Sequence, residues 1–138
     1  MSDCIFCKIV EKQIPATVIY EDGDVLAFMD IGPIVKGHAL VVPKKHCDPV
    51  TETPDDLLAR LHVVAKRIAQ AQMNGLGADG VNIMQNNGAA AGQEVPHIHV
   101  HVIPRFKGDG HHWNWNPKKY GDFDEMNNLA AKIQNHLK

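Results

Sequence analysis

The chain has 138 residues, of which 44% are hydrophobic and 22% charged, a balance that supports one globular domain and argues against disorder. A formal net charge of -2 argues against a nucleic-acid backbone as the main partner, and the longest apolar runs fall far short of a bilayer span, so no membrane is expected. The start Met1-Ser2-Asp3-Cys4 lacks the basic and apolar regions of a signal peptide, which points to the cytoplasm; there, three cysteines suggest metal or redox chemistry before a disulfide.

Residues 4–12 place Ile5, Phe6, Ile9 and Val10 at helical spacing, and Pro15 follows as a stop. Residues 17–20 and 25–29 read as strands, joined by Glu21-Asp22-Gly23-Asp24, where a glycine at positive φ would close a hairpin. Residues 38–42 form a third strand closed by Pro43. Thr53 is the expected N-cap of a long helix, with Pro54 at the first helical position and Asp55 and Asp56 at the positive end of the dipole. Leu57, Leu61, Val64 and Ile68 share one face of it, and Gly75 and Gly77 end it. Residues 80–84 make a fourth strand, and a small polar loop with Gly88 and Gly92 leads to Pro96. A fifth strand is expected from His97 to Ile103, stopped by Pro104. From Asp122, which with Glu125 resembles a capping box, a C-terminal helix aligns Met126, Leu129, Ile133 and Leu137. Hairpins with one inserted helix predict an antiparallel α+β domain rather than a doubly wound sheet.

Nine histidines are unusual in a chain of this length. Three of them form His97-Ile98-His99-Val100-His101. In a strand, alternate side chains share a face, so the three histidines point one way while Ile98, Val100 and Val102 point into the core. Same-face neighbours stand roughly 6.8 Å apart. One zinc ion, which needs nitrogens at about 2.0–2.1 Å, is an awkward fit for all three, although two adjacent ones could chelate. The spacing favours separate tasks for each; a solvent-facing polar face and a purely metal-binding strand are the alternatives.

The run His97-Ile98-His99-Val100-His101-Val102-Ile103 resembles the signature of the histidine triad (HIT) superfamily. Further segments resemble the family in the same order: Cys4-Ile5-Phe6-Cys7-Lys8-Ile9, Leu26-Ala27-Phe28-Met29-Asp30-Ile31, Gly37-His38-Ala39-Leu40-Val41-Val42-Pro43-Lys44-Lys45-His46 and Gly92-Gln93-Glu94-Val95-Pro96-His97. The resemblance implies a single domain over residues 1–138, with 107–138 a less well covered C-terminal extension. It implies an antiparallel sheet of about five strands with helices on one side: one long, one short and N-terminal, one C-terminal. It also implies a homodimer.

The implied activity is hydrolysis or transfer at the α-phosphorus of nucleoside 5′-phosphate derivatives, like that of purine nucleoside phosphoramidases. By position, His99 is the nucleophile, His97 its orienting neighbour, His101 the group at the phosphate or leaving atom, and His38 the supporting fourth histidine. Imidazole has an ordinary pKa near 6.5, so it is largely neutral and nucleophilic at pH 7. Asn86, Gly92 and Gln93 match the phosphate-side loop and Asp30 the ribose-binding carboxylate. Phe6, Ile9, Phe28, Ile31, Leu40 and Val95 match the nucleoside pocket. Glu94 stands where the phosphoramidase branch has serine. Val102-Ile103-Pro104-Arg105 resembles a dinucleoside polyphosphate hydrolase branch, the second enzymatic reading. A zinc-stabilised nucleotide-binding regulatory module with little turnover is the reading from another class.

Cys4-x-x-Cys7 has zinc-knuckle spacing. The resemblance completes it with His46 and His97 as a closed structural zinc site, and implies no catalytic metal. Cys47 in place of His46, or two unligated thiols, are the alternatives. His111, His112, Trp113 and Trp115 are left to substrate contact from a partner subunit or to dimer packing.

Overall fold

Strands β2 (Val25–Met29) and β3 (Ala39–Pro43) are apolar at almost every position. That pattern requires cover on both faces of the sheet. The computed structural model describes residues 3–137, and Met1, Ser2 and Lys138 of the expected domain lie outside them. The remaining elements are α1 (Ile5–Val10), β1 (Val18–Glu21), α2 (Asp55–Leu76), β4 (Gly80–Met84), β5 (Val100–Arg105) and α3 (Phe123–His136). One five-stranded sheet runs β1-β2-β3-β5-β4, antiparallel at every pairing. This is the expected α+β architecture.

The two faces divide the sheet residues by parity. Val25, Ala27, Ala39, Val41, Ile98, Val100 and Val102 pack against Leu61, Val64, Ala65 and Ile68 of α2. Leu26, Phe28, Leu40 and Val42 pack instead with Phe6 of α1. Helices therefore cover both faces, not one as expected. The reason is the apolar pair Phe6 and Ile9 on α1, which closes over the second face and sets Phe6 against His97 and His99, just before β5.

Several local expectations resolve differently. The β1–β2 turn is built by the Asp22 carboxylate, whose Oδ1 accepts from the backbone N–H of both Asp24 and Val25 at 2.8 Å; Gly23 is not among the positive-φ glycines. Thr53 does not cap α2. A 3-10 turn, Val50–Glu52, precedes it, and the buried Thr53 hydroxyl donates to the Pro49 carbonyl at 3.2 Å, leaving Pro54 at the cap. Gly75 lies inside the last turn of α2, while Gly77, at φ 72°, ends it. α1 stops before Pro15, at Glu11, where Lys12 takes φ 65°. β5 begins at Val100, because the N–H of Ile98 donates to the Cys47 carbonyl (2.9 Å) rather than to a ladder. It passes through Pro104, which lies beyond the last β3 pairing, Ala39 with Val102.

The C-terminal capping box forms as expected, with Asp122 Oδ1 accepting from Glu125 N–H at 2.8 Å. No residue of α3 is buried: Leu129, Ile133 and the following Leu137 are exposed.

Leu61 is fully buried between α2 and the sheet. Leu61→Ala is expected to lower the free energy of unfolding by about 2–5 kcal/mol, read from the urea midpoint. Val63→Ala, on the exposed side of the same helix, should change it by less than about 0.5 kcal/mol.

Candidate functional site

The histidines on the α1 side of the sheet are held by bonds that fix their tautomers. The ring of His99 places Nδ1 2.8 Å from the backbone carbonyl of His97. A carbonyl only accepts, so Nδ1 carries the proton and Nε2 presents its lone pair. In the same way His97 places Nε2 2.8 Å from the Pro43 carbonyl, which leaves its Nδ1 as a lone pair. His38 accepts at Nδ1 from the Ile34 N–H (3.1 Å). Its proton therefore sits on Nε2 and is donated to His101 Nδ1 at 2.9 Å. His101 is left with an N–H at Nε2. One ring thus offers a lone pair and its neighbour offers a donor, with the His99 and His101 centroids 5.0 Å apart. Phe6 stands edge-on to His99 at 5.0 Å and to Phe28 at 5.6 Å, sealing the site from below.

Burial is the largest influence on His38, His97 and His101. It disfavours the charged ring and holds all three below the ordinary imidazole value, His101 at about 4. The nearby Asp30 carboxylate, 3.6 Å from His38 Nε2, opposes this.

A cavity of about 490 Å³ opens over these rings. Its wall brings together His38, His99 and His101 with Asp30, and the apolar Phe6, Ile9, Phe28, Ile31 and Leu40. Asn86, Gly92 and Val95 of the polar loop close the other side, with Glu94 beside them. Gly92 adopts φ 94°, which a side chain would resist. Gln93 does not line the cavity. Its amide donates to Asp48 Oδ1 (2.7 Å) and the Val95 carbonyl (2.9 Å), while its carbonyl accepts from Gly88 N–H (2.7 Å), so it braces the loop. Sequence reasoning missed Ile5, Ile14, Ala16, Met29 and Ile34 in the wall; residues 14–16 carried only the signal of a helix stop. It also missed the backbone groups of Ile34 and Pro43, which no side-chain pattern reveals.

Beside the cavity, Cys4, Cys7, His46 and His97 bring their ligand atoms within 4.8 Å of one another. The Sγ atoms of Cys4 and Cys7 lie 3.3 and 3.6 Å from His97 Nδ1, and Cys7 Sγ lies 3.4 Å from His46 Nδ1. Bonds of about 2.3 Å to sulfur and about 2.0–2.1 Å to nitrogen at a tetrahedral angle put S and N roughly 3.5 Å apart. The donor set and spacing fit zinc. Cys47 stays apart, buried in the core against α2. A second group, Asp30, His38 and His101, is comparably tight.

At the end of β5, Arg105 donates to both carboxylate oxygens of Asp109 (2.8 and 3.0 Å), to Asn82 and to the His111 carbonyl. Trp113 donates to Asn82 Oδ1 at 3.1 Å and stands edge-on to His111, while His112 and Trp115 are exposed.

A histidine-lined cavity on an antiparallel α+β sheet defines the class, and comparison with known proteins gives the family. The HIT domain profile matches residues 11–108. An uncharacterised HIT-like protein of Methanocaldococcus jannaschii is 51% identical over 123 residues, 89% of this chain and 95% of that one. The adenosine 5′-monophosphoramidase of Saccharomyces cerevisiae is 41% identical, over 94% of this chain and 80% of its own. Among solved structures, a HIT family member from Bacillus subtilis superposes with a TM-score of 0.89 at 39% identity, covering 99% of both chains. A zinc-bound histidine triad family protein from Mycobacterium smegmatis does so at 0.78 and 40%, covering 98% of each. The chain belongs to the HIT domain family.

The lowered pKa of His101 has a stability consequence. The folded state disfavours its charged form relative to an unfolded chain. Stability is therefore full above about pH 6.5 and is lost as pH falls toward about 4, by on the order of 2 kcal/mol. Urea unfolding at pH 7 and pH 5 should show this loss in the wild type and a smaller one in His101→Gln.

Proposed function

We propose that this chain is a hydrolase of nucleoside 5′-phosphate derivatives, acting at the α-phosphorus in the manner of a purine nucleoside phosphoramidase. The observation that carries this reading is the bond from His99 Nδ1–H to the His97 carbonyl, which holds an unprotonated Nε2 on the wall of the cavity. The nucleoside packs among Phe6, Ile9, Phe28, Ile31 and Leu40, with its ribose toward Asp30. Backbone N–H groups of the loop that carries Asn86 and Gly92 take phosphate oxygens. His99 Nε2 attacks phosphorus, and the bond to the leaving nitrogen breaks. That nitrogen keeps the electron pair and takes a proton from solvent, while the Nε2–H of His101 donates a hydrogen bond that stabilises the developing charge. Water then attacks the nucleotidyl-His99 phosphorus. His99 leaves neutral with its proton on Nδ1, the attacking water gives up its proton to solvent, and a nucleoside monophosphate is released.

Cys4, Cys7, His46 and His97 are the zinc ligands of this reading. These four residues would hold zinc with no open position, so its contribution would be structural, fixing His97 and, through the His97 carbonyl, the ring of His99. The exposed apolar stripe of α3, Leu129 and Ile133, supports a homodimer. No helix among the described residues is long and apolar enough to cross a membrane, and the reading places a small-molecule enzyme in the cytoplasm with no nucleic-acid partner. The second enzymatic reading, a dinucleoside polyphosphate hydrolase, rests on the resemblance of Val102-Ile103-Pro104-Arg105, whose arginine is bonded to Asp109 and Asn82.

Brief exposure to adenosine 5′-phosphoramidate followed by mass spectrometry should show an adenylyl group on His99, and His99→Ala should lower turnover by at least about 10³-fold. Tight AMP binding with neither adduct nor turnover would favour the regulatory module instead. Metal analysis should give one zinc per chain, falling to well under half in Cys7→Ser. A chelator should lower the melting temperature of the wild type far more than that of the variant.

A further inference from the structure

A site that handles phosphate ordinarily carries a fixed cation. This cavity does not: among its described lining residues there is no lysine or arginine, and its ionisable acids are Asp30 and Glu94. Asp30 is engaged, accepting from the Gly32 N–H at 2.8 Å and standing 3.6 Å from His38. Glu94 is exposed, and no described residue forms an ion pair with it.

Its position decides what it meets. Ile5, Glu94 and Val95 are shared between the nucleotide cavity and an adjoining one of about 540 Å³. That second space also lacks lysine and arginine in its wall, and Asp3 and Asp48 face it. Asp30, His38, Phe28 and Leu40 line only the first cavity, where the proposed reaction seats the nucleoside, and on that reading the leaving group extends toward the stretch shared with the second space, at Glu94.

Resting on the reaction proposed above, we infer that Glu94 determines specificity by leaving-group charge. The site favours nucleoside 5′-phosphate derivatives whose leaving group is cationic, such as an amine bearing a second ammonium, over neutral ones, and rejects anionic ones, further phosphates included. A unit charge held about 7 Å from a partly hydrated carboxylate shifts relative affinity roughly three- to tenfold. The shift shrinks with salt.

Three adenosine 5′-phosphoramidates of similar size test this, because each breaks the same P–N bond. The amine carries 2-aminoethyl, propyl or carboxymethyl, so the leaving groups are alike in size and differ in charge; their different basicities act equally on both proteins and cancel in the comparison of wild type with Glu94→Gln. The wild type should rank kcat/KM as aminoethyl over propyl over carboxymethyl. Glu94→Gln should compress the aminoethyl-to-carboxymethyl ratio roughly three- to tenfold, and Glu94→Lys should invert it. Because Glu94 is exposed, both variants should fold, which melting curves check. Equal kcat/KM for the three in the wild type, or the same ratio in Glu94→Gln, overturns the inference. If none is hydrolysed, the hydrolase reading fails separately. Dissociation constants of the three compounds by calorimetry, with and without Glu94→Gln, then decide the charge ranking by themselves.

Discussion

Residues 97–102 must satisfy two buried faces at once, and the rest of the molecule is arranged around that constraint. Ile98, Val100 and Val102 are fully buried against α2. His97 and His99, one residue out of phase, are buried on the opposite side. A slip of one residue would put imidazoles into the apolar core and isoleucine and valine into the cavity. The register is held where slippage would start, by the Ile98 N–H on the Cys47 carbonyl and by the pairing of Leu40 with His101. Gln72 on α2 adds a polar tie, donating to the carbonyls of Gly37 and Val102.

Burying polar rings costs stability unless each nitrogen is matched. Here the matching also sets the chemistry. The Pro43 carbonyl, the His97 carbonyl and the Ile34 N–H each engage one ring nitrogen, and each thereby decides what the other nitrogen can do. His97 turns a lone pair toward two thiols, His99 turns one toward the cavity, and His101 ends as a donor. The same desolvation that depresses His38 and His101 keeps them neutral near pH 7, so these assignments hold under working conditions.

How much of this was legible in the sequence depends on which atoms carry the interaction. The alternation of the histidine run, the apolar face Leu61, Val64 and Ile68, and the Asp122–Glu125 cap are side-chain patterns, and they appear where expected. The Cys4, Cys7, His46, His97 grouping followed from the family resemblance, since the ligands lie up to 93 residues apart and only the sheet brings them together. The misread features are competitions between neighbours. Thr53 found a carbonyl four residues back before it could cap α2, and Asp22 closed the hairpin that Gly23 was expected to close. Gln93 had the right address in the loop, but three internal bonds turn its amide away from the cavity. The backbone donors and acceptors that set the tautomers leave no trace in composition at all.

The two tight groups of ligand-type side chains differ for the same reason. At the Cys4 group every nitrogen that faces inward is a lone pair, or can be one without loss. His97 Nε2–H already has its partner in Pro43, and binding a cation at Nδ1 disturbs nothing. In the Asp30, His38, His101 group, His38 Nδ1 is already accepting from Ile34, so the only proton of the neutral ring sits on the nitrogen that faces His101 and Asp30. A cation at that nitrogen would have to strip the ring to imidazolate or break the Ile34 bond. One cluster therefore has the donor geometry a metal would need, and the other passes a hydrogen bond from a backbone amide through two rings toward the cavity. His97 links the two groups: its ring nitrogen faces the cysteines, and its backbone carbonyl orients the ring of His99 on the cavity wall.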